Sequence, residues 1–464
     1  MRREEYLYTL TEQIRCKMAR GTIEQEINDH IEDQKAEFLS EGMSQTEAEE
    51  AAVREMGDPV EVGLEMDRIH RPTMAWGMIA LIVGLSLAGY LLRSVMYQTA
   101  LGIEQSAGKT EELFWTGMSS SWHTSLELPA LLIGLVLMIG ICYMDYTRIA
   151  AYAKQILIVL LVGLQFTGLK VNGAARYIRI PFGNIGLNLI DLLWLTIPLF
   201  AAVLYSYRGQ GYRGILKAIL WMIIPSYFLF IRSQSLIAAM ILELVYCVVL
   251  AAAVYKCWFQ VCKKAVLTGI GAVVVLIPVL LAGGLWCFGT AYQKERLVAI
   301  FSIGDYAANF PGVNVIREMI SGSSAFHGNP QFKELLTSVD GSVHLLASVV
   351  AAYGILAGIL LVLCLVVLIL RFAKISLNQK NQLGMVIGTG CTALFLIQTV
   401  VFILENLGGV VGNMGIYCPF FGTGRSGMLT SYILLGLLLS ICRYQKTAPE
   451  PVIRSWHWRQ RSQS

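Results

Sequence analysis

Asp340 is a lone carboxylate just ahead of a long apolar run, in the stretch LTSVDGSVHLLASVVAAYG (residues 336–354). A carboxylate there has the right type for a general base that takes a proton from an attacking hydroxyl. It equally suits a turn, because Asp-Gly is a common turn dipeptide. Glu295, Asp305, Glu318 and Glu334 are weaker candidates in the same polar segment. A second set of chemistry-bearing residues is cationic. Lys170, Arg176 and Arg179 crowd into one short segment between apolar runs. Fixed cations of this kind hold phosphate and pyrophosphate groups, although long basic side chains also snorkel along an interface. Glu405 and Asn406 form a polar pair that is either a substrate contact or an interfacial cap. A segment with Pro419, Gly422, Gly424 and Gly427 follows. Non-helical backbone at membrane depth survives only where protein or a watery cavity satisfies it; the other reading is a glycine-rich turn between packed helices. The ten cysteines and six histidines are scattered, with no C-x-x-C, so no metal-ligand set is visible.

Long apolar runs separate these residues, so a membrane-embedded scaffold must position them. The 464 residues are 55% hydrophobic and 15% charged, against about 25% charged in soluble domains. Runs of about 18 residues or more, long enough to cross a bilayer, recur near 74–93, 128–145, 150–169, 185–205, 213–231, 234–255, 265–288, 342–370, 383–404 and 426–443. The expected fold is therefore an all-α polytopic membrane protein with ten transmembrane helices. Arg148 and Lys154, Arg208 and Arg213, Lys256, Lys263 and Lys264, and Arg371, Lys374 and Lys380 fall in alternate loops. The positive-inside rule then places both termini in the cytoplasm and segments 170–184, 289–341 and 405–425 outside. The 289–341 loop is long, and long loops are usually functional. Asp191 and Glu243 lie within spans, where ionisable groups are functional by default. No nucleic-acid partner is expected.

Residues 1–72 carry 18 acidic and 9 basic residues, a net of −9, whereas the remainder carries a net of +13. That break marks an acidic N-terminal domain (1–72), a membrane domain (73–445) and a basic tail (446–464). No secretory signal is expected, because the N-terminus reads as an acidic helix. The first helix is expected over 3–19. Thr22 with Gln25 reads as a capping box opening a second helix that ends at Gly42, and Ser44 with Glu47 opens a third that stops at Gly57. Ile23, Ile27, Ile31 and Phe38 share one face, and Ala48, Ala51, Ala52 and Met56 another, which predicts a small soluble helical bundle. The stretch EGMSQTEAEEAAVREMGDPVEV resembles the HAAS-type permease-prefix domains of Firmicutes membrane proteins. The resemblance implies either a stabilising cap or a regulatory docking module.

Four further stretches resemble the SEDS family of FtsW, RodA and SpoVE. Asp145-Tyr146 followed by VNGAARYI (171–178) is similar to the family's D-Y turn and V-x-G-A-x-R-W-I. AYQKERLVAIF (291–301) resembles its Y-Q-x-x-R segment, and ISGSSAFHGNP (320–330) its G-S-G-G-L-F-G-x-G. FILENLGGVVGNMGIYCPFFGTGRSGMLTSY (402–432) parallels F-x-N-I-G-x-x-x-G-L-L-P-x-T-G-x-x-L-P-F-x-S-Y-G-G-S. The resemblance implies a peptidoglycan glycosyltransferase that polymerises lipid II, an undecaprenyl-pyrophosphate-linked disaccharide-pentapeptide. It would act at the outer face of the cytoplasmic membrane of a Gram-positive bacterium, with a class B penicillin-binding protein as transpeptidase partner. It implies Lys170, Arg176, Arg179, Arg296 and Arg425 as cations for the pyrophosphate, with Glu405, Asn406, Gly424 and Ser426 completing the substrate site. No cofactor is certain, and the resemblance leaves room for a divalent cation. If Gly354 matches the Gly of the family's E-E-x-G, Val343 occupies the catalytic aspartate's position. Asp340 then lies about one helical turn upstream. The family's Q-P-S-E reads Gly186-Leu187-Asn188-Leu189, and its P-D-x-G reads Arg232-Ser233-Gln234-Ser235. Two other readings therefore stand beside the enzyme: an inactive relative that scaffolds or binds a lipid-linked precursor, and a transporter of such a precursor.

Overall fold

The computed structural model describes residues 1–106, 110–166, 169–171, 174–180, 185–233, 235–301, 311–336, 344–409, 417–422 and 424–445. The chain begins with four helices, α1 (Arg3–Glu12), α2 (Lys17–Ser40), α3 (Gln45–Glu55) and α4 (Pro59–His70). Ile23, Ile27 and Ile31, one turn apart on α2, are buried with Tyr6, Leu10, Ile14 and Ala52 in a core of their own. The Ser44–Glu47 capping box forms, and Gly42 and Gly57 take the positive φ that ends a helix. Ion pairing with Lys35 holds the Glu49 carboxyl below the usual range, and hydrogen bonding to Ser44 does the same for Glu47. Both contributions are present at neutral pH and fade as pH falls through the depressed folded values.

Two local expectations are corrected, and one element is added. Thr22 lies inside α2, which already begins at Lys17; Ala19 and Ile23 in that helix are both buried. The first helix stops at Glu12, and Arg15 N–H donates to the Asp67 carboxylate at 2.8 Å. A fourth helix follows Gly57, with Pro59 in its first turn and Asp58 capping the Val60 N–H at 3.1 Å.

The membrane part continues with α5 (Trp76–Ser106), α6 (Thr110–Tyr143), α7 (Tyr146–Ala151) and α8 (Ala153–Phe166). A small sheet follows, β1 (Leu169–Val171), β2 (Ala174–Ile180) and β3 (Ile185–Asn188). Then come α9 (Leu189–Leu193), α10 (Thr196–Tyr205), α11 (Gly211–Arg232), α12 (Leu236–Tyr255), α13 (Lys263–Phe288), α14 (Ala291–Phe301), α15 (Pro311–Ser321) and α16 (Phe332–Leu336). The last four are α17 (Leu345–Tyr353), α18 (Ile355–Leu377), α19 (Gln382–Asn406) and α20 (Arg425–Arg443). Among the described residues seven helices are long and apolar enough to cross a membrane. Three shorter apolar segments, Glu127–Tyr143, Ala153–Leu164 and Leu189–Tyr205, fall where three more spans are expected. The fold is thus a polytopic helical bundle. α10 is buried along its whole length and packs against α8, α12 and α19, while α20 packs along α6. By contrast α13 buries no residue and touches α12 and α14 at the periphery.

Two expected features are rebuilt by the tertiary structure. Segment 170–184 contributes to an antiparallel sheet in the order β1-β2-β3, with Tyr177 opposite Asn188 and Arg179 opposite Gly186. Span 342–370 is not one helix, because the chain breaks between α17 and α18 at Gly354.

Candidate functional site

One end of the bundle gathers the segments singled out by sequence. At Gly354 φ is +97° and an added Cβ would lie 2.9 Å from the Ala325 carbonyl oxygen, so only glycine fits without strain. The break exposes the first N–H groups of α18, which a helix always leaves without partners of its own. Ile355 N–H donates to Ser324 O at 3.0 Å and Leu356 N–H to Ala325 O at 3.1 Å. Asn329 ties the same loop down: its N–H donates to Ala351 O at 2.8 Å and its Nδ2 to Glu318 O at 2.8 Å. The ISGSSAFHGNP motif is therefore the cap of a broken membrane helix. Around it Ile316, Met319, Leu335, Leu336, Ala347 and Ala351 form a small core that seats α15 and α16 on α17.

Asn406 finishes α19 and reaches across to α17. Its Oδ1 accepts from Ala347 N–H at 3.2 Å and its Nδ2 donates to Phe402 O at 2.9 Å. Buried and doubly bonded, it acts as the interhelical cap of α17. Next to it the Arg317 guanidinium donates twice to Gly408 O, at 3.1 and 2.9 Å. We expect Asn406→Leu to leave the buried Ala347 N–H without its acceptor, at a cost of about 1–3 kcal/mol. Thermal unfolding of the reconstituted variant checks this; an unchanged midpoint would remove Asn406 from the framework.

Residues 417–422 are packed into the protein. Tyr417, Cys418, Phe420 and Phe421 are buried, and Arg93 on α5 donates to Phe420 O at 2.6 Å. Glu127 faces Arg93 at 3.4 Å in an ion pair whose side chains are 3% and 13% exposed. Gly424, at φ +125°, opens α20, and the half-buried Arg425 follows. Ser426 donates to the Asp191 carboxylate at 2.6 Å. Asp191 is 4% exposed, and its other oxygen has no donor among the described residues. Asn188, at the end of β3, caps α9 through Ile190 N–H at 3.0 Å. β3 and α9 both pack against α20. The sheet bearing the 170–180 cations is thus joined through α9 to the start of α20.

The predicted residues divide as follows. Ser426, Asn406, Gly424 and Arg425 lie in the framework just described, and Glu405 is half-buried beside Asn406. Asp340 falls in 337–343, outside the described residues, between buried Leu336 and His344, the residue preceding α17. Lys170, Arg176, Arg179 and Arg296 lie on β1, β2 and α14, but their side chains are outside the described set. Glu295, Glu318 and Glu334 are exposed, and Asp305 is outside the described residues. Among the described residues no three His, Cys, Asp or Glu side chains come together as a metal site. Sequence reasoning passed over Arg93, Glu127, Arg317 and Asn329. A charge near the end of an apolar run, as at Arg93 and Glu127, looks like a span boundary; only its burial marks it as a partner.

The fold and this end of the bundle define a multi-pass helical membrane protein whose connecting segments at this end are folded into a capped polar framework. The profile of the FTSW_RODA_SPOVE family, described as "Cell cycle protein", matches residues 116–447. The chain belongs to this family, the SEDS family. It is 24% identical over 330 residues to a probable peptidoglycan glycosyltransferase FtsW of Trichlorobacter lovleyi, covering 68% of this chain and 82% of that one. It is 24% identical over 301 residues to the peptidoglycan glycosyltransferase MrdB of Helicobacter pylori, covering 62% and 74%. A chain from a structure described as "Structural coordination of polymerization and crosslinking by a peptidoglycan synthase complex" superposes with a TM-score of 0.62 at 19% identity, covering 80% of this chain and 99% of that one. The rod shape determining protein RodA of Thermus thermophilus superposes with a TM-score of 0.51 at 16% identity, covering 80% and 98%.

Proposed function

We propose that this protein is a peptidoglycan glycosyltransferase that polymerises lipid II at the outer face of the cytoplasmic membrane. The observation that carries the reading is the family match across 116–447, whose relatives bear that enzyme name. The geometry fits it: a broken helix, a buried turn at 417–422 and a cation-bearing sheet meet at one end of the bundle. In the reaction the acceptor sugar's hydroxyl oxygen bonds to the donor's anomeric carbon. The carbon–oxygen bond to the pyrophosphate breaks, and the hydroxyl proton passes to Asp340. The lipid pyrophosphate leaves with its charge met by Lys170, Arg176, Arg179, Arg296 and Arg425, fixed in advance of the reaction. In this reading there are ten spans, both termini are cytoplasmic, the cell is Gram-positive, and a class B penicillin-binding protein crosslinks the product. Full-length protein in liposomes with lipid II, assayed for glycan polymer on a gel with and without a candidate transpeptidase, tests it. Lipid II binding without polymer in either arm would support the second reading, an inactive precursor binder or scaffold, which the departures at 186–189 and 232–235 favour. Transport is the weakest reading, since neither Asp191 nor Glu243 has a paired cation among the described residues.

The acidic helices α1–α4 act in this reading as a regulatory module ahead of the membrane domain. They own a separate core, and Thr73 N–H to Arg443 O at 3.3 Å is a backbone tie where they join the bundle. Deleting residues 1–70 is expected to leave a protein that inserts and melts within a few degrees of the full chain, with altered control or assembly. Crosslinks from the prefix to the basic cytoplasmic loops should fall as salt rises, because exposed pairs contribute only about 0–1 kcal/mol each and are screened. Loss of insertion on deletion would make the module structural instead.

A further inference from the structure

We propose that Arg93 and Glu127 are a positioning pair that clamps the turn at 417–422, so that Arg425, at the start of α20, stands preorganised. Phe420 carries the argument. Its φ is +71°, a left-handed conformation that a bulky residue adopts only where its surroundings enforce it. Two groups on one face of α5 enforce it. Arg93 Nη1 donates to the Phe420 carbonyl at 2.6 Å. One turn earlier, Gly89 lies so close that a Cβ there would sit 2.1 Å from the same oxygen. The carbonyl is thus pressed against helix backbone at one residue and bonded by a buried guanidinium at the next turn. Glu127 on α6 orients that guanidinium through its Nε, so α5 and α6 grip the loop together.

The rest of the segment carries the constraint to Arg425. Gly422 N–H closes a turn onto Cys418 O at 2.8 Å, so 418–422 moves as a unit with Phe420. On the far side Ser426 is anchored to Asp191 at 2.6 Å. Arg425 therefore sits between two fixed points, one held by Arg93 and one by Asp191. A buried ion pair is seldom the cheapest source of stability, since hydrophobic replacements often match it. Its use here is geometric: it satisfies a buried carbonyl and selects one loop conformation. The clamp itself stands independently of any activity. Its consequence for catalysis rests on the reading that Arg425 receives the pyrophosphate of a lipid-linked sugar.

Cys418 provides a direct probe, because its thiol is fully buried within the clamped turn. In full-length protein in nanodiscs, site-resolved mass spectrometry follows alkylation of each cysteine. Arg93→Ala and, independently, Gly89→Ala are expected to label Cys418 at least about tenfold faster than wild type. Arg93→Lys keeps a charge and a donor and should stay near wild type, whereas Glu127→Gln should fall between. Cys391, buried in α19, reports on general loosening and should not change. Unchanged Cys418 labelling in both Arg93→Ala and Gly89→Ala would overturn the proposal, as would Cys391 labelling that rises in step with Cys418. The same variants are titrated with undecaprenyl pyrophosphate. Arg93→Ala should weaken binding about as much as Arg425→Ala, and the double variant little further, with Arg93→Lys restoring it. Faster Cys418 labelling in Arg93→Ala with unchanged binding, while Arg425→Ala weakens binding, would overturn the positioning of Arg425 by the clamp; unchanged binding in Arg425→Ala would overturn its assignment to the pyrophosphate.

Discussion

Asp340→Ala is expected to lower lipid II polymerisation by about 10²–10⁴-fold, the usual worth of a positioned general base, while insertion and lipid II binding persist. The reason is its place in the chain. Asp340 lies between α16, whose Leu335 and Leu336 are packed into the small core with α15 and α17, and α17, whose first turn is capped by Asn406. Both flanks are held: α16 packs on α17, and α17 packs on α19. Attack by a sugar hydroxyl needs a proton acceptor as the bond forms, and an anion near neutral pH is a carboxylate's ordinary state. Asp340→Asn, which keeps the shape and removes the acceptor, should be nearly as inactive. If wild-type protein polymerises and both variants keep pace with it, the base lies elsewhere. The exposed Glu295, Glu318 and Glu334 would be tested next.

Arg176→Ala combined with Arg425→Ala is expected to weaken undecaprenyl pyrophosphate binding roughly 10²-fold or more, from about 1.5–3 kcal/mol for each charge-assisted hydrogen bond. Arg425 is the better placed of the two. It occupies the first turn of α20, where unpaired backbone N–H groups also favour an anion, and it has no hydrogen bond or ion pair among the described residues. Arg176 lies on β2, whose neighbour β3 packs against α20, so the fold draws the two segments together. Binding by such cations should also weaken steeply as salt rises. Wild-type affinity in the double variant, measured at low ionic strength, would assign both arginines to snorkelling or packing.

Sequence periodicity located the long apolar helices and three prefix helices but not α4, α7, α14, α15 or α16, and several local misreadings have identifiable causes. Thr22 looked like a cap because a local pattern was present, but it lies inside the longer α2, where Ala19 and Ile23 are both buried. Span 342–370 looked continuous because hydropathy does not register a backbone break, and Gly354 has no side chain to signal one. Its role is defined by the Ser324 and Ala325 carbonyls, which lie about thirty residues away in the chain. Segment 170–184 read as a loop because the two short strands it contributes to leave little periodic signal.

Composition and pattern alone determined the membrane class, the acidic helical prefix and its isoleucine face, and the four motif segments that carry the family resemblance. Those properties are local or additive: hydropathy sums over a run, and capping depends on residues three apart. Only the tertiary structure decided that Asn406 caps another helix, that Asp191 receives Ser426, and that Arg93 and Glu127 hold the Phe420 carbonyl. Each of these joins residues separated by dozens to hundreds of positions. A polar side chain states what it can bond to, but burial by distant segments decides which partner it must have.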